Sequence, residues 1–494
     1  MTATSTPATT ATTLPRTPRQ LLVDGEFVDA RSGKTFATHD PATGEVLAHL
    51  AEADAPDVDI AVRAARRAFE EGPWSRMTPA QRARILWRIG ELLDENAEEL
   101  ALVETLDNGK PLSAARGDLA GAGEVFRYYA GWATKIHGKT INPAMNPGTW
   151  HNYTLRQPVG VVGQIIPWNF PLMMASWKLG PALATGNTSL LKPAEQTPLS
   201  ALRLGELMLE AGLPPGVVNV LNGYGETAGA AIAAHDGVDK VAFTGSIETG
   251  RRIVEAALGN LKKVSLELGG KSPNIVFPDA DLGAATSGSA TAIFANQGEV
   301  CTAASRLYVH RDVFDDVVSG VSEQASSLQV GPGTDPNTEL GPLVSQEQLD
   351  RVTGYLDQGY RSGARATAGG RRSGDRGYFV EPTVLVDAPT DASVVQEEIF
   401  GPVVVAMPFD DIDEIARQAN DTRYGLAAGI WTQDLSKAHR LAAKLRAGSV
   451  FVNTYNSIDP ALPFGGFKES GWGRELGEDA LDLYTETKSV HTRL

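Results

Sequence analysis

Apolar residues in the first part of the chain follow two different spacings. In residues 20–28 they alternate with polar ones around an Asp-Gly pair, which predicts a small β-hairpin. From Val58 onward they recur every three or four residues, as is typical of amphipathic helices. Thr78 offers a hydroxyl cap, a proline follows it, and Gln81 can reach back, so we predict that a helix begins there.

Beyond Val159, strand-like and helix-like stretches alternate in two long series. The first series has candidate strands at residues 159–166, 189–192, 217–221, 240–243 and 263–266. Candidate helices between them lie near residues 172–184, 199–211, 227–234 and 249–258. The second series has candidate strands at residues 274–277, 306–309, 380–386, 403–408 and 449–453. This alternation predicts an α/β fold with parallel, doubly wound sheets, which bind ligands at the carboxyl ends of their strands.

Three further segments lie outside these series. A helix is predicted over about residues 112–136, and it leads into an alternating polar strand at residues 150–156. Residues 485–493 alternate in the same way and could pair with that strand. The first 20 residues are rich in Thr, Ala and Pro and contain no acidic residue. We expect a disordered extension there in preference to an organelle transit peptide, because amphipathic periodicity is missing.

Composition narrows the class of protein. A chain of 494 residues is long enough for two or more packed domains. Its formal net charge of -16 argues against general binding to nucleic acids or anionic membranes, which requires a basic face. The most apolar region, residues 159–184, is interrupted by prolines, an asparagine and a lysine, so it is predicted to be a buried strand and helix. We therefore expect a soluble, cytoplasmic enzyme.

Cys301 is the only cysteine, so the chain can form neither an internal disulfide nor a cysteine-rich zinc site, and no catalytic metal is expected. A lone cysteine is more often a small buried hydrophobe than a nucleophile. The polar residues 297–299 before it and the small residues after it favour a nucleophile. A helix beginning at the cysteine would point its free amide groups at the sulfur. The residues alone leave both roles open.

Six segments resemble motifs of the aldehyde dehydrogenase superfamily and follow the family's order. They are residues 167–171 (Pro-Trp-Asn-Phe-Pro), 243–246 (Phe-Thr-Gly-Ser), 266–274 (Leu-Glu-Leu-Gly-Gly-Lys-Ser-Pro-Asn), 296–301 (Asn-Gln-Gly-Glu-Val-Cys), 398–402 (Glu-Ile-Phe-Gly-Pro) and 463–468 (Pro-Phe-Gly-Gly-Phe-Lys). Together they cover the chain from about residue 20 to its end. Six motifs in order are far more specific than one.

The resemblance implies two doubly wound α/β domains and a β oligomerisation arm. The cofactor domain would comprise residues 20–137 and 158–268, the catalytic domain residues 269–477, and the arm residues 138–157 and 478–494, after an extension at 1–19. In the family the last strand pairs with the arm across subunits. We therefore expect a homotetramer or a homodimer.

The turn after the candidate strand at residues 240–243 is a possible nucleotide site. Gly245 and Gly250 have four residues between them, which departs from the Gly-x-Gly-x-x-Gly fingerprint. By spacing alone, two glycines that serve helix packing explain the pattern equally well. A helix N-terminus would attract a pyrophosphate. The family's variant of the dinucleotide turn uses the positions of Gly245 and Ser246, which implies a dinucleotide cofactor.

Lys192 and Glu195 follow the neighbouring candidate strand, where charged residues often form an exposed turn. In the family these positions bind the adenosine ribose. A carboxylate beside the 2′ position repels an added phosphate, so Glu195 favours NAD, with NADP a poorer alternative. Glu398 and Phe400 match residues that hold the nicotinamide-side ribose and ring. The other implied cofactor-binding residues are Ile165, Pro167, Trp168, Gly225, Phe243 and Leu268.

The resemblance also assigns catalytic roles. Asn169 would pair with the Cys301 backbone amide to stabilise an oxyanion, and Glu267 would activate the water that hydrolyses a Cys301 thioester. From its apolar strand pattern, Glu267 is either exposed or a buried acid with a raised pKa. Lys178 and Glu475 match a proposed proton relay, and the less favoured alternative is that they are ordinary surface charges.

Large aromatic side chains could wall a substrate tunnel or could simply pack in the core, which is their commoner use. The candidate pocket residues are Phe170, Trp177, Val300, Thr302, Tyr455 and Phe464. Residues 297–306 and 453–464 look most like the phenylacetaldehyde-oxidising branch. We therefore expect NAD-dependent oxidation of an aromatic or medium-chain aldehyde to its acid. The alternatives are a coenzyme A-acylating dehydrogenase, which commonly lacks a glutamate at position 267, and a non-catalytic protein of the same fold.

Overall fold

The computed structural model describes residues 14–144 and 148–494. Its strands are β1 Leu21–Val23, β2 Glu26–Val28, β3 Thr35–His39, β4 Val46–Ala51, β5 Thr140–Ile141, β6 Trp150–Pro158, β7 Val161–Ile165, β8 Thr188–Lys192, β9 Val218–Val220, β10 Lys240–Thr244, β11 Lys263–Glu267, β12 Pro273–Val276, β13 Arg306–His310, β14 Arg365–Ala368, β15 Thr383–Val386, β16 Val403–Phe409, β17 Ala427–Trp431, β18 Ser449–Val452, β19 Gly471–Trp472 and β20 Thr485–Arg493. Its α-helices are α1 Ala55–Glu70, α2 Pro79–Glu95, α3 Ala97–Asn108, α4 Leu112–Trp132, α5 Pro171–Thr185, α6 Leu199–Glu210, α7 Ala230–Ala234, α8 Ile247–Ala256, α9 Leu282–Phe294, α10 Phe314–Ser327, α11 Gln346–Arg361, α12 Ser393–Gln396, α13 Ile412–Asn420, α14 Leu435–Lys444 and α15 Asp479–Leu483. None of these helices is long and apolar enough to cross a bilayer.

The larger sheet has eight strands in the order β2-β1-β9-β8-β7-β10-β11-β19. Strands β7 to β11 run parallel, and β1, β2 and β19 add antiparallel edges. The chain lays down β7, β8 and β9 in one direction and then returns to β10 and β11 on the other side of β7. Strand order therefore reverses between β7 and β10. The crevice at their carboxyl ends is the place where a doubly wound sheet binds its ligand.

The second sheet has seven strands in the order β14-β15-β16-β13-β12-β17-β18. All neighbours are parallel except β14 and β15. Apolar clusters cover both faces, as a parallel sheet requires. The predicted doubly wound α/β fold is thus confirmed, while β14 and β17 were missing from the sequence prediction. The strand predicted from residue 380 begins only at Thr383.

Several local predictions are confirmed. The hairpin turns at Asp24 and Gly25, both with positive φ (53° and 82°), which matches the twist of the two strands. Thr78 caps α2: its hydroxyl accepts from the Gln81 amide at 3.3 Å, and the Gln81 side chain accepts from the Thr78 amide at 2.8 Å. The helix predicted over residues 112–136 ends earlier, at Trp132, where the chain turns back and the Lys135 amide donates to the Trp132 carbonyl at 2.7 Å.

The three-stranded sheet β20-β6-β5 is separate from the eight-stranded and seven-stranded sheets and from the two-stranded sheet β3-β4. Strand β20 pairs with β6 along its full length, from Thr485 opposite Pro158 to Arg493 opposite Trp150. Both strands belong to one chain, so the expectation that this pairing crosses subunits is wrong. The reason is local: the Tyr484 carbonyl accepts from the Val159 amide at 3.2 Å, which starts β20 beside the end of β6.

The predicted N-terminal extension lies largely outside the described residues. Where the described chain starts, Leu14 already contacts the main apolar cluster and Thr17 is buried. The chain is therefore packed against the protein before residue 20.

Candidate active site

Cys301 lies on a loop between α9 and β13. Asn296 and Gln297 adopt left-handed backbone conformations (φ 47° and 57°), which end the helical path after α9. No helix begins at Cys301, so that possibility is wrong within the described chain. The backbone amides that follow Cys301 instead donate to backbone carbonyls: Ala303 to Val300 at 3.0 Å and Ala304 to Ala292 at 3.0 Å.

The Cys301 thiol is only partly accessible. Burial raises the pKa of the Cys301 thiol to about 12, and the nearby carboxylates of Glu398 and Glu267 act in the same direction. The resting thiol is therefore protonated at neutral pH. A reaction that uses the thiolate needs a change in this environment, such as an arriving positive charge.

Asn169 lies on the loop between β7 and α5, at the carboxyl end of the central strand. Its side chain is buried, and Nδ2 donates to the Glu299 carbonyl oxygen at 2.8 Å. Glu299 is two residues before Cys301, so the Asn169 carboxamide contacts the loop between α9 and β13 that carries Cys301, called the cysteine loop below. An amide nitrogen carries two hydrogens, and this bond uses one of them.

Glu267 is the last residue of β11 and is 5% exposed. Burial raises its pKa well above the usual carboxyl range; Glu475 adds to the rise, while Lys178 and Arg474 oppose it. Its Oε2 has no hydrogen-bond partner in the described part of the chain. Of the two sequence alternatives, the structure has the buried acid with the raised pKa.

Two residues beside Glu267 were not predicted. A Cβ on Gly465 would lie 2.6 Å from Glu267 Oε1, so a side chain at position 465 would displace the carboxyl. The Thr244 hydroxyl accepts from Lys178 Nζ at 2.8 Å. The paired glycines of residues 463–468 were noticed only as part of a motif, and their spatial reason could not be seen in the sequence.

Lys178 and Glu475 form a buried ion pair. The side chain of Lys178 is fully buried and that of Glu475 nearly so, which makes the surface-charge alternative wrong. They lie on α5 and just after β19, far apart in sequence. Their opposing effects on the pKa of Glu267 show that both are close to the carboxyl group.

The turn at Gly245 opens the crevice between β7 and β10. Ser246 caps α8, accepting from the Thr249 amide at 3.2 Å. A Cβ on Gly250 would lie 2.9 Å from Leu268, so Gly250 allows the helix to pack on the sheet. The packing explanation thus holds for Gly250 and also for Gly245, where a Cβ would lie 2.5 Å from the Phe243 ring; Gly245 in addition lies in the turn that leads into α8.

The other predicted cofactor residues lie in or shortly after strands β7 to β11. Lys192 ends β8 and pairs with Glu195 at 2.8 Å, and burial lowers the pKa of Lys192. Gly225 is exposed, with open space where a Cβ would be. Residues that share one apolar cluster under the crevice are Ile165, Phe243 and Leu268. Pro167 and Trp168 are half-buried at its edge.

The segment after α12 reaches the crevice from the second sheet. Glu398 Oε1 accepts from the Gly270 amide at 3.0 Å, and burial raises the pKa of Glu398 to about 7. The Phe400 ring meets Trp168 edge to face, with centroids 5.2 Å apart. Phe400 has a positive φ of 61°. A Cβ on Gly269 would overlap the Glu398 carboxylate, so the glycine, which sequence reasoning missed, lets this carboxylate approach.

The six candidate pocket residues divide into two groups. Phe170 and Cys301 border the apolar cluster that contains Trp177 and Phe464, whose rings are 5.0 Å apart. The remaining three serve the cysteine loop or the other core. The Tyr455 hydroxyl donates to the Thr302 carbonyl at 2.8 Å, Thr302 Oγ1 donates to Asn456 Oδ1 at 2.7 Å, and Val300 packs against the second sheet.

This fold agrees with comparisons to known proteins. The model of the aldehyde dehydrogenase family matches residues 27–490. That match spans most of the chain, and the chain belongs to the aldehyde dehydrogenase family. It is an enzyme of that class.

Individual relatives cover nearly the whole chain. An aldehyde dehydrogenase from Bacillus cereus, solved as an NAD+ complex, is 52% identical and has a TM-score of 0.95, with 96% of each chain covered. The indole-3-acetaldehyde dehydrogenase AldA of P. syringae, solved with NAD+, is 47% identical with a TM-score of 0.95 and 97% coverage of each chain. A mitochondrial benzaldehyde dehydrogenase of Antirrhinum majus is 50% identical over 96% of this chain and 89% of its own.

Proposed function

We propose that this protein oxidises an aldehyde to the carboxylic acid with NAD+, through a covalent thioester on Cys301. One observation carries the proposal: the Asn169 carboxamide donates to the Glu299 carbonyl beside Cys301. The Glu267 carboxylate also raises the pKa of the Cys301 thiol. Nucleophile, oxyanion donor and base thus meet beside the crevice of the doubly wound sheet. Acyl transfer to and from a thiol needs these three groups.

NAD+ fits the crevice in charge and shape. The capped N-terminus of α8 is suited to a pyrophosphate, and the Lys192–Glu195 pair offers partners to ribose hydroxyls. Glu398 and Phe400 would hold the nicotinamide side. When bound, NAD+ supplies the hydride acceptor. The Glu195 carboxylate disfavours a 2′-phosphate, so NADP is expected to bind more weakly.

The protein's own groups account for the other steps. Cys301 gives up its thiol proton to water as Sγ forms a bond to the aldehyde carbon, and the resulting oxyanion accepts hydrogen bonds from Asn169 Nδ2 and the Cys301 amide. One such donor contributes about 2.7–4 kcal/mol to the transition state. After hydride departs, a thioester remains. Glu267 takes a proton from water as the water attacks this thioester; the C–S bond breaks, the carboxylic acid is released, and the Cys301 thiolate regains a proton from water.

The buried Lys178–Glu475 pair is suited to pass the proton from Glu267 onward. It contacts Thr244 and lies next to the base in a region otherwise closed by packing. Glu267 takes up a proton when it activates water and must lose it before the next turnover; burial raises the pKa of Glu267, which makes this loss harder. We therefore assign Lys178 and Glu475 to the relay.

For the substrate we propose an aromatic aldehyde such as phenylacetaldehyde, with medium-chain aliphatic aldehydes as the alternative. The rings of Phe170, Trp177 and Phe464 lie in and around the apolar cluster that Cys301 borders, and they could stack on an aryl group. Two of the relatives described above are named for aromatic aldehydes, indole-3-acetaldehyde and benzaldehyde.

We further propose a cytoplasmic homotetramer or homodimer. The sheet β5-β6-β20 exposes the apolar side chains of Ile141 and Leu155, which a second copy could cover. Light scattering after size exclusion tests this directly, since a monomer at micromolar concentration would contradict it.

The test of function is reduced-nicotinamide formation by the purified protein with phenylacetaldehyde, comparing NAD+ with NADP+ and omitting coenzyme A. We expect turnover with NAD+ and release of phenylacetate. Cys301→Ala should abolish turnover while NAD+ still binds. A strict requirement for coenzyme A would favour the acylating alternative, and full activity of Cys301→Ala would refute the thioester.

A further inference from the structure

Lys110, two residues after α3, has a fully buried side chain. Its ammonium donates to Asp118 Oδ2 at 2.6 Å and to the backbone carbonyl oxygen of Asn169 at 3.0 Å. It also lies 4.5 Å from the centroid of the Phe170 ring. A lysine enters a protein core only when its charge is compensated, and here two of the three compensating contacts are with the oxyanion-donor segment.

Other side chains from the same region hold the same segment. Asn108 Nδ2 donates to the Trp168 carbonyl oxygen at 3.0 Å. Glu104 Oε1 accepts from the Leu172 amide at 2.9 Å. The end of α3 and the turn after it thus fix the backbone on both sides of Asn169, whereas Lys110 contacts Asn169 itself.

The turn that carries Lys110 is itself held firmly. Gly109 has a φ of 96°, and a Cβ there would lie 2.8 Å from the ring of Pro342. The carbonyl oxygen of Lys110 packs against Gly333, so a side chain at position 333 would have no room. The Asn169 carbonyl also accepts from Asn296 Nδ2 at 3.1 Å, so two donors from different parts of the chain meet at one oxygen.

We propose that Lys110 is a positioning residue for Asn169. By holding the Asn169 carbonyl, the ammonium fixes the Cα from which the carboxamide extends to the cysteine loop. A displacement of about 1 Å in such a group lowers the rate about 100-fold, because the donor no longer meets the developing oxyanion. This inference rests on the oxyanion role proposed for Asn169 and adds the group that keeps Asn169 in place.

The experiment is a double-mutant cycle with Lys110→Met and Asn169→Ala, measured as kcat/KM for aldehyde with saturating NAD+. Methionine keeps the length and apolar stem of lysine and removes the ammonium. We expect Lys110→Met to lower kcat/KM about 10-fold to 100-fold in the parent protein, since a displaced donor loses much of its effect. In the Asn169→Ala background the same change should have almost no effect. The Kd of NAD+ should stay the same.

Lys262→Met is the matched control. Lys262 is also buried, and its ammonium donates to a backbone carbonyl, that of Ala233, at 2.7 Å. Lys262→Met therefore removes the same kind of hydrogen bond at a place distant from Asn169. We expect Lys262→Met to leave kcat/KM within about twofold of the parent, in keeping with a change that affects stability alone.

The proposal is overturned if Lys110→Met lowers kcat/KM equally in both backgrounds. It is also overturned if Lys110→Met leaves kcat/KM unchanged while Asn169→Ala strongly lowers it. Full activity of Asn169→Ala would instead refute the oxyanion role and the inference with it. If Lys110→Met does not fold, Asp118→Asn replaces it in the cycle. That variant keeps the lysine but weakens its anchor, so a smaller loss with the same non-additivity is expected, and additivity would again overturn the proposal.

Discussion

Lys178 and Lys110 are both fully buried beside the candidate active site, and each forms one ion pair and one further hydrogen bond. Lys178 pairs with Glu475, and Lys110 pairs with Asp118. Each ammonium also donates to one further oxygen. Lys178 donates to the Thr244 hydroxyl, and Lys110 donates to the backbone carbonyl of Asn169.

The difference lies in what surrounds each pair. Glu475 is nearly as buried as its lysine and acts on the pKa of Glu267, a group that must gain and lose a proton. The side chain of Asp118 is 14% exposed, and Lys110 holds the backbone of an uncharged amide. A buried lysine–carboxylate pair thus affects the pKa of the base in one case and holds the backbone of the oxyanion donor in the other. A buried ion pair does not reveal its use until its second contact is known.

The largest expected effect comes from Glu267→Gln, which removes the base and leaves the oxyanion side intact. Steady-state turnover should fall about 10²–10⁴-fold, because water is no longer activated against the thioester. A rapid burst of reduced nicotinamide, of about one per active site, should remain in stopped-flow absorbance. Asn169→Ala is the control, since it should slow the burst itself. Loss of the burst in Glu267→Gln would break the proposed division of labour.

An intermediate effect concerns pH. Activity rises as Glu267 loses its proton, so its pKa sets the acid limb of the kcat profile. Lys178 lowers this pKa and Glu475 raises it. Lys178→Met should therefore move the acid limb to higher pH, and Glu475→Gln should move it to lower pH. Lys110→Met should reduce kcat without moving the limb. Shifts in the same direction for the two relay variants would contradict the electrostatic role.

The smallest effect is on the thiol without cofactor. Because burial raises the pKa of Cys301 to about 12, alkylation by iodoacetamide should speed up about tenfold per pH unit from neutrality to pH 9. Glu267→Gln should increase the rate slightly, since this carboxylate raises the thiol pKa. Asn169→Ala should not, because it carries no charge. A rate independent of pH over this range would refute a protonated resting thiol.

The sequence predicted the two parallel sheets because their strands are nearly continuous apolar runs, whose pattern is local. It could not predict the path of the cysteine loop, where Asn296 and Gln297 leave the helical region under tertiary contacts. Lys178 stood out as a cation within an apolar helix, a local sign of burial. Lys110 gave no such sign, because its second contact, Asn169, lies 59 positions away.

The short strand β19 has a consequence for synthesis of the chain. Gly471 pairs with Glu267, and the Ser470 carbonyl accepts from the Leu268 amide at 2.9 Å, so the strand of the eight-stranded sheet that is made last closes the edge beside the base. A nascent chain that has reached residue 460 already holds Cys301 but lacks Gly465 and Glu475. Such a chain, arrested on the ribosome, has a thiol that can be labelled and a base strand with an open edge. Catalytic competence therefore arrives only after the segment that carries Gly465 and Glu475 has been made, when the strands of both parallel sheets have already had time to fold.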